Sequence, residues 1–109
     1  MTARPHPRIR VLCVDDHPVV REGLTRRIAL ERDMLVVATA STGEEALAVF
    51  ETHQPDITLM DLNLPGMGGL ETIVTLRRNH PGARIIVLTM YDGDEDIHRA
   101  LAAGAAAYV

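Results

Sequence analysis

Acidic and hydroxyl side chains stand directly after three of the chain's apolar runs. Asp15 and Asp16 end the first run, Asp61 ends the third, and Thr89 ends the fourth. Carboxylates brought together repel one another unless a cation lies among them. A hard divalent cation such as Mg²⁺ binds carboxylate and phosphate oxygens, and it would keep Asp61 ionised as a nucleophile toward phosphorus. Thr89 would supply a hydroxyl donor beside that group.

Each of these residues also has an ordinary structural explanation. A single Asp after a strand commonly caps a helix or forms a turn, and Thr89 can simply finish a strand as a β-branched residue. We interpret His17 as a helix-start residue rather than as a metal ligand, since no His/Cys set with zinc spacing is present. The glycine-rich phosphate loop of dinucleotide-binding folds is also absent after the first run. The chemical interpretation therefore depends on the acids converging.

The elements that would bring them together are short apolar runs alternating with amphipathic segments. Runs rich in Val, Ile and Leu with little polar alternation are typical of strands covered on both faces. The predicted strands are 9–14, 34–40, 57–60, 85–88 and a final short run at 107–109.

The segments between these runs carry helix-end signals. Pro18 suits a first helical position, and Thr42 with Glu45 forms a capping-box pattern. The third helix must stop at His80-Pro81-Gly82, and a fourth would run from an Asp94 cap to Gly104, with Ile97 and Leu101 facing inward. Strand and helix thus alternate, and right-handed crossovers then predict an α/β fold with a doubly wound parallel sheet. In such a sheet ligands bind beyond the carboxyl ends of the strands, where the acids stand.

The length, charge and composition of the chain limit the classes of function that it can have. A chain of 109 residues fits one domain; we assign residues 8–109 to it and expect 1–7 to be a flexible tail. A net charge of −4 argues against direct nucleic-acid binding. The one cysteine, Cys13, suggests a buried thiol in a reducing compartment, and no apolar stretch is long enough to span a bilayer. These features predict a cytoplasmic protein without membrane contact.

Four sequence strings resemble the receiver domain of bacterial two-component response regulators, most closely the LuxR/NarL class. They are VLCVDDH at 11–17, DLNLPGMGGLE at 61–71, LTM at 88–90 and AGAAAYV at 103–109. The resemblance covers nearly all of the chain from Arg8 onward. It implies a flavodoxin-like, CheY-like strand order of 2-1-3-4-5.

The resemblance also implies roles for the acidic residues. Asp61 matches the phosphoacceptor that receives a phosphoryl group from the phosphohistidine of a sensor histidine kinase. Asp16, Asp61 and the backbone carbonyl of Asn63 resemble Mg²⁺ ligands, with Asp15 acting through water. The domain would then be no conventional enzyme, although it would catalyse its own phosphorylation and dephosphorylation and switch an output, expected to be transcription.

Two further positions match the family's switch residues. Thr89 corresponds to the hydroxyl that moves to the phosphoryl oxygen, and Tyr108 to the aromatic that turns inward with it. From spacing alone, Tyr108 is equally well explained as a core aromatic near a sheet edge.

The chain also departs from the family pattern. All 11 of its cationic side chains are Arg, and the family's lysine would fall two residues beyond Val109. The fifth helix would lie there too, so we expect a receiver truncated before its last helix, with one sheet face partly uncovered, and poor phosphorylation. The uncovered apolar area favours self-association as a dimer, with domain swapping as one route. DNA would be bound only through an output domain outside this sequence.

Two other functions remain open at this point. The first is a non-catalytic truncated receiver that only pairs with partners or with itself. The second, a flavodoxin-like cofactor binder, conflicts with acids standing where a phosphate loop belongs.

Overall fold

Strands and helices alternate along the chain in the computed structural model, which describes residues 8–88 together with 99, 101, 102, 104, 105, 107 and 108. The strands are β1 (Ile9–Val14), β2 (Met34–Ala40), β3 (Ile57–Asp61), β4 (Ile85–Leu88) and β5 (Ala107–Tyr108). The helices are α1 (Pro18–Ala29), α2 (Gly43–His53) and α3 (Gly69–Asn79). All pairings are parallel, in the order β2-β1-β3-β4-β5, which confirms the predicted doubly wound sheet.

The element bounds follow the sequence patterns closely. β3 continues one residue further than predicted, because Asp61 still pairs with Leu88 of β4. Gly104 has a φ of 116°, as expected at the end of the fourth helix, of which Arg99, Leu101 and Ala102 are described as helical. The prediction that Leu101 faces inward is wrong, because the residue is 45% exposed. The tail at 1–7, and Asp94, Ile97 and Val109, lie outside the described residues.

Helix α2 begins with the predicted cap. Thr42 Oγ1 accepts the backbone N–H of Glu45 at 3.1 Å, and Glu45 Oε1 accepts the backbone N–H of Ser41 at 2.6 Å. The reciprocal bond thus reaches one residue further back than in the standard capping box. It satisfies an additional backbone donor at the carboxyl end of β2.

The larger core cluster lies on the sheet face that α2 and α3 cover. It comprises Leu12, Val14, Ala40, Ala46, Phe50, Met60, Leu64, Ile73, Leu76, Ala83, Ile85, Val87 and Ala105. At the start of α3, a Cβ on Gly69 would lie 2.5 Å from Leu62 Cα and 2.6 Å from the Asp61 carbonyl oxygen. Only glycine therefore lets α3 pack this closely on the segment that carries Asp61.

The opposite face is only partly covered, as predicted. Its cluster contains Val11, Cys13 and Ile28, with partly buried Leu24, Met34, Val36 and Leu59 packed against it. Only alternate residues of β4 are fully buried, because in the described part of the chain α1 alone packs on this face, against β1 and β2. β4 thus departs from the pattern of a strand covered on both faces, in agreement with the expectation that one face of the sheet is partly uncovered.

Cys13 is buried and unpaired, as predicted. Burial, with a smaller contribution from the charge of Asp15, raises the pKa of its thiol to about 11. Among residues 8–88 and the few described beyond them, no helix has the length and apolar character needed to cross a bilayer.

Candidate metal centre

A pocket of about 410 Å³ opens at the carboxyl ends of β1, β3 and β4. It is lined by Asp15, Asp16, His17, Val20, Asp61, Asn63 and Leu88. β1 and β3 are neighbours in the middle of the sheet, so the residues that follow or end them meet at one edge. This is the place where open parallel sheets bind their ligands.

The three predicted acids converge in this pocket. Asp15, Asp16 and Asp61, together with His17, each contribute one possible ligand atom, and these atoms all lie within 4.8 Å of one another. Asp15 and Asp61 are each 8% exposed, while Asp16 is nearer the mouth. The sequence-based expectation of one anionic pocket is therefore confirmed in its geometry.

The turn between β1 and α1 holds Asp15 in place. Its backbone N–H donates to the carbonyl oxygen of Ala40 at 3.0 Å, which extends the pairing of β1 with β2 past the last strand residue. Its carbonyl oxygen accepts a bond from Arg21 Nη1 at 2.6 Å. Its side-chain Oδ1 accepts the backbone N–H of His17 at 2.8 Å. These three bonds fix both the backbone and the carboxylate of Asp15.

The segment after β3 fixes the Asp61 carboxylate in a similar way. Asp61 Oδ1 accepts the backbone N–H of Asn63 at 3.0 Å. The next turn is held by the Gly69 N–H, which donates to the Leu62 carbonyl oxygen at 3.2 Å. Asn63 also lines the pocket with Asp61, and its backbone carbonyl is predicted to bind the same metal ion as Asp61.

His17 stands at the start of α1, as predicted, and the structure adds contacts of its ring that the sequence did not predict. It occupies the N-cap position of α1 but makes no side-chain capping bond. Its Nδ1 lies 2.9 Å from Asp15 Oδ1 and 3.0 Å from Asp16 Oδ1. The position of His17 next to two acids was visible in the sequence, but the direction of its side chain depends on how the turn is folded.

The charges in the pocket influence one another. Burial raises the pKa of the Asp61 carboxyl, and the charges of Asp15 and Asp16 raise it further, against the opposing bond from the Asn63 N–H. The hydrogen bond with Asp15 and then the charge of Asp16 raise the pKa of the His17 imidazole. The ionised form of Asp61 is therefore disfavoured in the metal-free pocket, as expected for grouped carboxylates.

The donor atoms of the pocket fit a hard divalent cation. Asp16 Oδ1 is shielded from solvent and makes no hydrogen bond, although it lies near His17 Nδ1. A buried carboxylate oxygen without a hydrogen bond is costly, and a cation beside it removes that cost. Asp15, Asp16 and Asp61 offer oxygen atoms, the donor type that Mg²⁺ prefers.

The two predicted switch residues stay predictions. Thr89 lies outside the described residues. Tyr108 is described only by its backbone, which pairs with Val87 in the parallel register of β4 and β5.

The fold and the acidic edge define a class of protein, and comparison with known proteins identifies it. Residues 11–109 match the response regulator receiver domain family. The chain is 41% identical over 99 residues to the nitrate/nitrite response regulator protein NarL of Escherichia coli (strain K12), covering 91% of this chain and 46% of NarL. It is 45% identical over 101 residues to response regulator GacA of Pseudomonas viridiflava, covering 93% of this chain and 47% of GacA.

Solved structures show the same likeness. A two-component response regulator of the LuxR family from Aurantimonas sp. SI85-9A1 superposes with a TM-score of 0.89 at 42% identity, covering 93% of this chain and 72% of that one. The signal receiver domain of the putative response regulator NarL from Mycobacterium tuberculosis gives a TM-score of 0.89 at 33% identity, covering 94% and 82%.

The chain therefore belongs to the response regulator receiver domain family, and its relatives are regulators of the NarL/LuxR type. It spans about half the length of the curated relatives it matches.

Proposed function

We propose that this domain accepts a phosphoryl group on Asp61, with Mg²⁺ bound beside it, and thereby switches an output. The observation that carries the proposal is the convergence of Asp15, Asp16 and Asp61 within one pocket at the carboxyl edge of the sheet. Membership in the receiver family supports the same reaction.

The reaction needs a free carboxylate oxygen pointing at the donor. Asp61 Oδ1 is engaged by the Asn63 N–H, which orients the group and leaves its other oxygen to react. That oxygen forms a bond to phosphorus while the bond between phosphorus and the donor's nitrogen breaks, and the electron pair leaves with the donor. Asp61 is 8% exposed, which limits the contact of its carboxylate with bulk water.

Asp16, Asp61 and the backbone carbonyl of Asn63 would hold the cation, and Asp15 would act on it through water. The bound cation would supply charge neutralisation, both for the grouped carboxylates and for the phosphoryl oxygens. His17 and Asn63 line the approach to the pocket. Thr89 and Tyr108 would report the change to the rest of the domain.

The partners follow from the relatives, whose printed names describe response regulators. We propose a sensor histidine kinase as phosphoryl donor and transcription as the output, with DNA bound through a separate output domain. The cytoplasm is the compartment in which such a kinase and output meet.

Self-association is a second proposed activity, and the half-covered sheet face favours it. Leu59 and Leu88, both apolar, are only partly buried there. Apolar surface of this kind supports pairing between two copies. Light scattering at increasing concentration tests it, and a monomer throughout would contradict it.

The test of phosphoryl transfer is intact mass spectrometry after incubation with Mg²⁺ and a small acyl-phosphate donor. We expect one added phosphoryl group, absent in Asp61→Asn and absent when the metal is chelated. Asp33→Asn is the matched control, because Asp33 is an exposed acid outside the pocket, and it should leave the adduct unchanged. An adduct of equal size in Asp61→Asn would overturn the assignment of Asp61.

A further inference from the structure

His17 contacts one oxygen atom of each of two carboxylates that line this pocket, Asp15 and Asp16. Its backbone N–H and its ring Nδ1 both reach Asp15 Oδ1, at 2.8 and 2.9 Å. The same Nδ1 lies 3.0 Å from Asp16 Oδ1. One imidazole nitrogen therefore stands between the two carboxylates that the first strand contributes to the pocket.

The chemistry of these groups assigns their roles. An ionised carboxylate only accepts hydrogen bonds, so Nδ1 carries the hydrogen and donates it to Asp15. A neutral imidazole has such a donor, and the contact therefore needs no change in protonation. As long as Nδ1 donates to Asp15, that oxygen has one lone pair fewer for a metal ion.

The side chain of His17 is also able to leave. It is 64% exposed, compared with 12% for the side chain of Asp15. It makes no capping bond to α1, so the helix start does not depend on its position. Pro18 begins the helix, which keeps the backbone at this point defined when the ring moves.

We infer that the His17 side chain competes with Mg²⁺ for the carboxylate oxygens of Asp15 and Asp16, and so sets the affinity of the pocket for the metal. This inference rests on the proposed function, because it concerns the same metal site. A cation that uses these oxygens, directly or through water, displaces the ring from Asp15 Oδ1, and the lost hydrogen bond weakens binding. The net free energy of one ordinary hydrogen bond corresponds to a change of about three- to tenfold in the dissociation constant for Mg²⁺.

Mg²⁺ titration by calorimetry on the isolated domain tests this competition. We expect His17→Ala to bind Mg²⁺ about three- to tenfold more tightly than the unmodified chain. His17→Leu keeps bulk without a donor and should also bind more tightly. His53→Ala is the matched control, because His53 is a histidine at the far end of α2, and it should bind like the unmodified chain.

The possible outcomes distinguish a failure of the His17 competition from a failure of the proposed metal site. Equal or weaker Mg²⁺ binding in His17→Ala, with binding intact in the unmodified chain, would overturn the competition alone. A Leu variant that binds like the unmodified chain would also overturn it, because bulk rather than hydrogen bonding would then limit access. Absence of binding in all variants at millimolar Mg²⁺ would overturn the metal site itself.

Nitrogen-15 NMR of the histidine rings supplies a second readout. We expect Mg²⁺ to shift the Nδ1 signal of His17 with the same midpoint as the backbone amide of Asn63, whose N–H bonds Asp61. A His17 signal that stays fixed while the Asn63 amide moves would show that the ring never releases Asp15, which contradicts the inference.

Discussion

At the carboxyl ends of β1 and β3, neighbouring apolar and acidic residues are shielded from water almost equally, yet their burial has opposite effects on the stability of the fold. Val14 and Met60 are 2% and 0% exposed, and the residues that follow them, Asp15 and Asp61, are each 8% exposed. Burial of the apolar pair stabilises the fold. Burial of Asp61 disfavours its charged form and leaves the pocket receptive to a cation. The apolar residues of the sheet interior stabilise the domain, whereas the acids proposed to act in the pocket come one residue later in the sequence.

The largest effect should come from truncating the interior. Ile73 is fully buried in the face that α2 and α3 cover, so Ile73→Ala is expected to lower the free energy of unfolding by about 3 kcal/mol. Val74→Ala is the matched control, because Val74 follows on the same helix but is 40% exposed. Urea denaturation measures both. A loss of equal size at Val74 would contradict the assigned interior.

Mg²⁺ bound in the pocket should stabilise the folded domain against unfolding. A ligand present at ten times its dissociation constant raises the free energy of unfolding by about 1.4 kcal/mol. We expect thermal melting to show this gain for the unmodified chain and to lose it in Asp16→Asn, while Asp33→Asn keeps it. An equal gain in Asp16→Asn would remove Asp16 from the metal site.

Neutralising Asp61 should stabilise the metal-free domain. The folded pKa of Asp61 lies above its unfolded value, so the folded state binds a proton more tightly, and ionised Asp61 costs stability above the folded pKa. Asp61→Asn is therefore expected to raise the free energy of unfolding at neutral pH by on the order of 1 kcal/mol. The gain should disappear as the pH falls below the unfolded pKa, because Asp61 is then neutral in both states.

Melting in a chelating buffer at neutral and acidic pH measures this gain. Asp33→Asn should show neither the gain nor its pH dependence. If Asp61→Asn is less stable than the unmodified chain at neutral pH, the acids do not repel as described.

The smallest expected effect concerns a local bond at the same edge. Thr42→Ala removes the acceptor for the Glu45 N–H and should lower the free energy of unfolding by about 0.5 to 1 kcal/mol. Thr52→Ala is the control, because Thr52 lies in the last turn of the same helix, where its hydroxyl bonds a backbone carbonyl that is already part of the helix. Equal losses at both positions would contradict the cap.

The sequence predicted the parts of this molecule that depend on local pattern. Uninterrupted apolar runs located the strands, and Pro18 and Thr42 marked helix starts, because these signals act within a few residues. The convergence of the acids followed from parallel topology alone. The position of the His17 ring did not, since a rotamer at a turn depends on tertiary contacts with Asp15 and Asp16.

The sequence predicted a partly uncovered sheet face, but not that β4 would lie in it. An apolar run does not show how many helices cover it, and that depends on which part of the sheet α1 reaches.

The most direct test of the anionic pocket is the titration of Asp61 itself. Carbon-13 NMR of its carboxyl group, followed against pH without divalent cations, should give a pKa above the ordinary range for aspartate. The pKa should fall when Asp15 is replaced by Asn, because one neighbouring charge is removed, and fall again in the unmodified chain when Mg²⁺ is added. A pKa of Asp61 at or below the ordinary aspartate value without metal, unchanged by Asp15→Asn and by Mg²⁺, would contradict this account. The proposed chemistry depends on the convergence of the acids, and such a result would show that their charges do not interact.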